Sequence, residues 1–473
     1  MPIDTQTKIL ATIGPSTASR EMIEKLVKSG VDAFRFNFSH GTHQEHAERL
    51  AIVRSLEEKY KRHLTVIADL QGPKLRVGTF KSDKILLKKG QLFTLDMKNE
   101  AGDERRVCLP HKEIFAALGV GDKLLLNDGN IELEVLSNEN NVAETKVIVG
   151  GYLSAHKGVN LPNVRLPISA ITAKDKIDLQ FALEQKVDWV CLSFVQSVSD
   201  LRMARKLIGN KAWIISKLEK PSAIDELDDI IKESDGIMVA RGDLGVECPI
   251  QTVPVLQKRI VKACRKYARP VIVATQMLES MINNPTPTRA EVSDVANAVF
   301  DGADAVMLSA ETAAGNYPAE TVAMMHQIIT QVESDANYYT RVQYDKDLSD
   351  CDDMADAITY AASEMIDILP NMAAVVTYSV SGFTALSMAR ERPSRPILAV
   401  TLSKEVARRL GIVWGIRSLV NEEIFHDFSK MEKTTLQTVR EAKIGRKGEY
   451  VVVTSGYPIG VQGMTNMLYT VQI

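Results

Sequence analysis

Eight short runs rich in Val and Ile recur through the first two thirds of the chain, and helix-length segments stand between most of them. Strands that alternate with helices pair in parallel, because each helix carries the chain back across the sheet. The runs are KILATIGP (8–15), DAFRFNFS (32–39), LTVIADL (64–70), DWVCLSFV (188–195), WIISKLE (213–219), GIMVARGD (236–243), PVIVATQ (270–276) and DAVMLSAE (304–311). Eight such strands imply a (β/α)8 TIM barrel. The helices carry start and stop signals: Met22, Ile23, Leu26 and Val27 form a stripe that Gly30 ends, and Thr288 with Glu291 makes a capping box ahead of Val292, Val295 and Val299.

The third and fourth runs are separated by over a hundred residues. Residues 71–167 read as short alternating strands, with Asn127-Asp128-Gly129-Asn130 marking a hairpin. This predicts a β-barrel domain inserted at a strand's carboxyl end, where barrel active sites lie, and so placed to act as a lid. Residues 1–70 and 168–340 are then the two parts of the barrel. After the polar stretch 333–353 the β/α alternation resumes in AAVVTYS, PILAVTLS and EYVVVTSG, which predicts a C-terminal α/β open-sheet domain over 341–473.

Charge and cysteine usage narrow the function. Lys+Arg number 57 against 60 Asp+Glu, a formal net charge of -3, so no nucleic-acid partner is encoded and any phosphate site must be local. Cys108, Cys191, Cys248, Cys264 and Cys351 are scattered and never paired as C-x-x-C, the pattern of a reducing cytoplasm. The N-terminus has no apolar leader, and no apolar run is long enough to cross a bilayer. The expectation is a cytoplasmic protein with no membrane partner.

Reacting groups in a barrel sit at the carboxyl ends of strands, and here those ends are polar. Arg35, Asn37 and Ser39 alternate with Phe36 and Phe38, so they share one face. The first three are read as a site rather than a solvated edge, because a closed barrel has no edge. Lys217 and Glu219 also share a face, and Asp243 follows on the next strand; two carboxylates from adjacent strands suit a hard ion such as Mg2+. Gly242 allows its N–H to approach an anion, while Thr275, Ser309 and Glu311 supply groups for orienting a carboxylate or relaying a proton. Asp69-Leu70-Gln71-Gly72-Pro73-Lys74-Leu75-Arg76 leads into the inserted domain. Several cations around one metal, with no Cys or His nucleophile, are what phosphoryl transfer requires. No G-x-x-x-x-G-K-[ST] loop is present. His40, His43 and His46 lack a metal-ligand pattern and read as solvent-facing, with His40 able to touch a nucleotide.

The chain resembles the pyruvate kinase family over nearly its whole length, through TKILATIGPS (7–16), FRFNFSHG (34–41), DLQGPKLR (69–76), IISKLEKPSAI (214–224), MVARGDLGVE (238–247), ATQMLESM (274–281) and PTRAEVSDVANAVFDGADAVMLSAETAAGNYP (287–318). The resemblance implies phosphoryl transfer from phosphoenolpyruvate to ADP, giving ATP and pyruvate. It implies that Lys217 stabilises the phosphoryl in flight, Arg35 contacts it, and Glu219 and Asp243 ligate Mg2+ or Mn2+. It implies that Gly242 and Thr275 contact the substrate carboxylate, and that Thr275 or Ser309 relays the proton. Pro15, Asn37, His40, Arg76 and Lys174 match nucleotide positions. Many members hold K+ near the residues matching Asn37, Ser39, Asp69 and Leu70, and carry Glu where this chain has Lys74; the ammonium is expected to replace that K+. Family effectors bind the C-terminal domain, where Ser379, Ser381, Gly382 and Thr384 are candidates for holding a phosphorylated small molecule. Simple N-capping is the alternative reading of those residues, and Gly456, Gly460 and Gly463 could cover a ligand. A homotetramer is expected from the family. A barrel lyase of the aldolase type explains Glu219 and Asp243 but neither the insertion nor Lys217, and retention of Lys217, Glu219, Asp243, Thr275 and Arg35 together argues against a non-catalytic sensor.

Overall fold

The computed structural model describes residues 5–162, 164–343, 353–421, 428–457 and 464–473. Cys351, Gly460 and Gly463 lie outside them. Lys8–Ile13, Ala33–Asn37, Thr65–Asp69, Trp189–Leu192, Trp213–Leu218, Gly236–Ala240, Val271–Ala274 and Ala305–Leu308 form a closed parallel barrel, and the last strand pairs with the first. The strands stop short of the ends read from sequence, because the chain leaves the sheet in loops or helices one to three residues earlier. Phe194, Thr275 and Gln276 take positive φ, and helices start at Arg241 and Ala310. Helix Arg20–Ser29 ends at Gly30 with φ 117°, and the Thr288 hydroxyl accepts from the Glu291 N–H ahead of Arg289–Phe300. Both caps are where the sequence places them.

The barrel interior is layered. Leu10, Ala33, Ile67, Ile215, Met238 and Met307 fill its middle. Two residues further along three of these strands, the same inward face carries Thr12, Arg35 and Lys217. The apolar layer thus floors a polar mouth. From the opposite end Ile412, in the C-terminal domain's turn Leu410–Ile412, joins the same core.

The insertion has its own core, from Leu75 to Leu166. Six strands form one sheet and Lys84–Leu87 pairs with Gly151–Ser154 in another, so the expected β-barrel is divided into two sheets. Leu126 pairs with Ile131 across the Asn127–Asn130 turn, where Asn127, Asp128 and Gly129 all have positive φ. The C-terminal domain is a five-stranded sheet, four strands parallel and the last, Met467–Gln472, antiparallel.

Charged and apolar groups together join that domain to the barrel. Asp304 accepts from the N–H groups of Val271 and Trp414 and pairs with buried Arg392. Glu57 accepts from Arg408 Nε at 2.9 and 3.0 Å and also binds Arg54 and His63. Burial alone would raise the Glu57 carboxyl, but His63, Arg408 and Arg54 outweigh it and hold it down at about 2. Because the folded value lies below that of the unfolded chain, this contribution is complete above about pH 4.5 and disappears as pH falls toward 2. Glu57→Ala, which leaves the Arg408 guanidinium unpaired and Arg54 with Asp188 as its remaining carboxylate, is expected to destabilise by about 3 kcal/mol at neutral pH, with the loss vanishing in acid. Urea unfolding at both pH values checks this.

Candidate active site

The polar mouth is built around Asp69. Arg35 Nε donates to its Oδ2 at 2.6 Å, Arg35 Nη1 donates to Thr12 Oγ1 at 3.1 Å, and Lys217 Nζ lies 3.6 Å from Oδ1. Burial works against ionisation of Asp69, yet Lys217 and Arg35 overcome it and its carboxyl is held below the usual range. Lys217 Nζ also donates to Ser193 Oγ at 2.9 Å and lies 2.8 Å from Glu219 Oε1. Desolvation would strip its proton, but Asp69, Glu219 and Asp243 win and push its pKa up. Lys217 is therefore a permanent cation in a dry site.

Glu219 is fully buried and receives the Phe194 N–H on Oε2 at 2.8 Å. Its Oε1 meets the Lys217 ammonium as an ion pair but has no hydrogen-bond partner of proper geometry. Burial, eased by Lys217 and aggravated by Asp243, raises this carboxyl to about 7. A buried carboxylate oxygen left unsatisfied beside a second carboxylate fits a divalent cation. Asp243 stands in the first turn of helix Arg241–Glu247 and lines a cleft with Lys74, Asp128, Asn160, Phe194 and Lys220. Among the described residues no three His, Cys, Asp or Glu converge as a metal cage. The two carboxylates would hold an ion that completes its shell with water and substrate, the habit of Mg2+.

Beside them Gly242 N–H donates to Thr275 Oγ1 at 2.7 Å. Thr275 has φ 74°, a strained value for a β-branched residue. Arg241, which sequence reasoning passed over, holds that strain: it grips Asp294 bidentately at 2.6 Å and donates to the Thr275 carbonyl at 2.8 Å. Only its place between a strand and Gly242-Asp243 could have signalled this, since Asp294 lies on a distant helix. Ser309 Oγ is buried without a partner. Glu311, read as a site carboxylate, instead caps backbone N–H groups of Ser309 and Leu278.

The outer residues are less tightly gathered. Lys174 Nζ binds the Phe38 carbonyl and Asp178. Arg76 Nη1 donates to the His156 carbonyl at the base of the insertion, while His40 and Pro15 are exposed. Asn37 Oδ1 accepts from Ser39 N–H at 3.1 Å, and the Leu70 carbonyl accepts from Ser193 Oγ. Lys74 is exposed in the cleft, and Asp69 is paired with Arg35 and Lys217 rather than with it. The solvent-facing reading of the histidines is corrected at His46. It is buried against Phe36 and Phe38, because its helix packs on the face opposite Arg35. His43 stacks on Phe181 and binds Asp178. In the C-terminal domain the N-cap of helix Phe383–Arg390 is Gly382, φ 94°, with no side-chain cap. N-capping therefore does not explain the hydroxyls there: Thr384 Oγ1 bonds Thr465 Oγ1, and Ser379, directly after the preceding strand, is buried.

Comparison with known proteins agrees along the chain. A family model described as pyruvate kinase, barrel domain, matches residues 4–322, and one described as pyruvate kinase, alpha/beta domain, matches residues 356–471. A pyruvate kinase of Agrobacterium vitis is 44% identical over 472 residues, covering 99% of this chain and 97% of its own. That of Thermotoga maritima is 40% identical and covers 99% of each. The crystal structure of a pyruvate kinase from Cryptosporidium parvum has a TM-score of 0.92 at 32% identity, covering 99% of this chain and 96% of that one. Matched by both family models and by relatives nearly end to end, this chain belongs to the pyruvate kinase family, and it is a phosphotransferase.

Proposed function

We propose that the mouth around Lys217 carries out the family reaction, transfer of the phosphoryl group of phosphoenolpyruvate to ADP with formation of ATP and pyruvate. The observation that carries this reading is one permanent cation, Lys217, held in a dry site between Asp69 and Glu219 with Arg35 alongside. Phosphoryl transfer needs little covalent help from the protein, and depends on positioned charge. Lys217 faces the phosphoryl in flight and Arg35 orients it. Glu219 and Asp243 would hold Mg2+ or Mn2+, which when bound offsets the charge of phosphoryl and enolate oxygens. Gly242 N–H and Thr275 Oγ1 orient the substrate carboxylate. Cleavage of the phosphate ester leaves the enolate of pyruvate, whose methylene carbon takes a proton, and the hydroxyls of Thr275 and Ser309 stand ready to relay it. Pro15, Asn37, His40, Arg76 and Lys174 form the nucleotide side.

The same reading assigns the monovalent requirement to Lys74. Its ammonium faces the cleft that Asp243 lines and supplies there the charge K+ brings elsewhere. Turnover is expected to change by less than about twofold when 100 mM K+ replaces an equal concentration of tetramethylammonium, which balances ionic strength; a rise of tenfold or more would assign the requirement to K+ bound at Asn37, Ser39, Asp69 and Leu70. We further assign a phosphorylated effector to Ser379, Ser381, Gly382 and Thr384, and a homotetrameric assembly measurable by sedimentation. The reaction itself is tested by following pyruvate with Mg2+ present and with Mg2+ chelated: turnover with the metal alone supports the assignment, and absence of pyruvate in both brings the lyase and sensor readings forward.

A further inference from the structure

A second buried ion pair stands beside the site and has no part in the reaction as described. Lys220 Nζ lies 2.5 Å from Glu247 Oε1, and both residues are buried. Asn160 Nδ2 donates to the same oxygen at 2.7 Å, while Glu247 Oε2 is buried without a hydrogen-bond partner. The chain positions of the three residues give the pair its meaning. Lys220 directly follows Glu219, and Glu247 closes the helix whose first turn bears Asp243. Asn160 ends the strand Val159–Asn160, where the insertion returns to the barrel. Lys220, Asn160 and Asp243 line one cleft.

A buried ammonium seeks an anion, and besides Glu247 its surroundings offer Asp243, which lines the same cleft, and Glu219, its neighbour in the chain. We propose that Glu247 is a positioning residue for the metal carboxylates: it holds Lys220 away from Asp243 and Glu219, and through Asn160 it fixes the base of the insertion to the helix that carries Asp243. The inference rests on the assignment of Glu219 and Asp243 to the divalent ion. Because a Lys220 released from Glu247 would compete with the ion for those carboxylates, loss of Glu247 alone acts on the ion before it acts on chemistry.

Free Mn2+ counted by its electron paramagnetic resonance, with the full-length protein and no substrate, gives the metal affinity directly. Glu247→Gln is expected to weaken Mn2+ binding at least about tenfold, the usual cost of losing a group that orients metal ligands. Glu247→Gln combined with Lys220→Met, which removes the released cation, is expected to return within about threefold of wild type. Wild-type affinity in Glu247→Gln, or a double variant as weak as the single one, overturns the proposal. If Glu247→Gln does not fold, the double variant decides alone: near-wild-type binding supports the proposal and a tenfold loss overturns it. Asn160→Ala should raise the KM for ADP severalfold with Mn2+ affinity unchanged; an unchanged KM overturns the link to the insertion. Glu219→Gln separates the two readings. If it binds Mn2+ like wild type, the metal assignment falls and the inference with it; if it loses Mn2+ while Glu247→Gln keeps it, the inference alone falls.

Discussion

Lys217→Met should reduce kcat by about 10³-fold or more, the scale of removing a cation that stabilises a phosphoryl in flight. Two effects combine. The first is direct, because Lys217 is a charge held at 2.8 Å from Glu219 and 3.6 Å from Asp69 with almost no solvent to replace it. The second runs through Glu219. The ammonium partly offsets the burial that lifts this carboxyl to about 7, so its removal lifts the carboxyl further and leaves it protonated at neutral pH. Mn2+ affinity should therefore fall along with kcat. In the wild type the same logic gives a pH dependence. A proton and the metal compete for Glu219, so Mn2+ affinity is near its limit about one unit above pH 7, about half of it at pH 7, and declines with each unit below. An affinity independent of pH between 5.5 and 8 would contradict that account.

Arg241→Ala should cost about 100-fold in kcat/KM for phosphoenolpyruvate while the KM for ADP stays within about twofold, because a misplacement of about 1 Å at a reacting group carries such a penalty. Arg241 touches no reacting atom in this arrangement. It holds the Thr275 carbonyl at 2.8 Å, and with it a backbone at φ 74° that Thr would otherwise leave. Once released, Thr275 Oγ1 loses its registration with Gly242 N–H, now 2.7 Å away. Arg241→Lys should not restore activity, since an ammonium cannot grip both Asp294 oxygens and the carbonyl together. Exchange of the methyl hydrogens of pyruvate with deuterated water, followed by NMR in the presence of Mg2+ and ATP, should fall in parallel, because Thr275 serves the carboxylate and proton side. Undiminished exchange with lowered overall turnover would place Arg241 elsewhere.

The barrel was legible because Val- and Ile-rich runs end abruptly and Gly30 and Thr288 cap helices by local rules that need no knowledge of the rest of the fold. The residues at the strand ends were legible as a set for the same reason: Arg35, Lys217 and Glu219 follow the period of two. What happens just beyond each strand was not. Thr275 and Gln276 at positive φ carry no Gly to announce the turn, which is held by contacts remote in sequence, chiefly Arg241, clamped by Asp294 from 53 positions away. Glu311 reads in sequence as a group for orienting a substrate or relaying a proton, because the N–H groups of Ser309 and Leu278 that its carboxylate accepts from belong to backbone that sequence does not show. His46 reads as solvent-facing when the histidines are weighed only as metal ligands, yet it stands four residues before Leu50 and seven before Val53, on the buried face of its helix, where Phe36 and Phe38 pack over it.

On the proposed reading, Lys217 and its carboxylate partners at the barrel mouth transfer a phosphoryl group between phosphoenolpyruvate and ADP. The most direct measurement follows pyruvate and ATP together, from phosphoenolpyruvate, ADP and Mg2+, for wild type and Lys217→Met at equal concentrations of folded protein. The account predicts equimolar pyruvate and ATP from wild type and at least about a 10³-fold slower rate from the variant. Pyruvate without ATP, or a variant within tenfold of wild type, would contradict it.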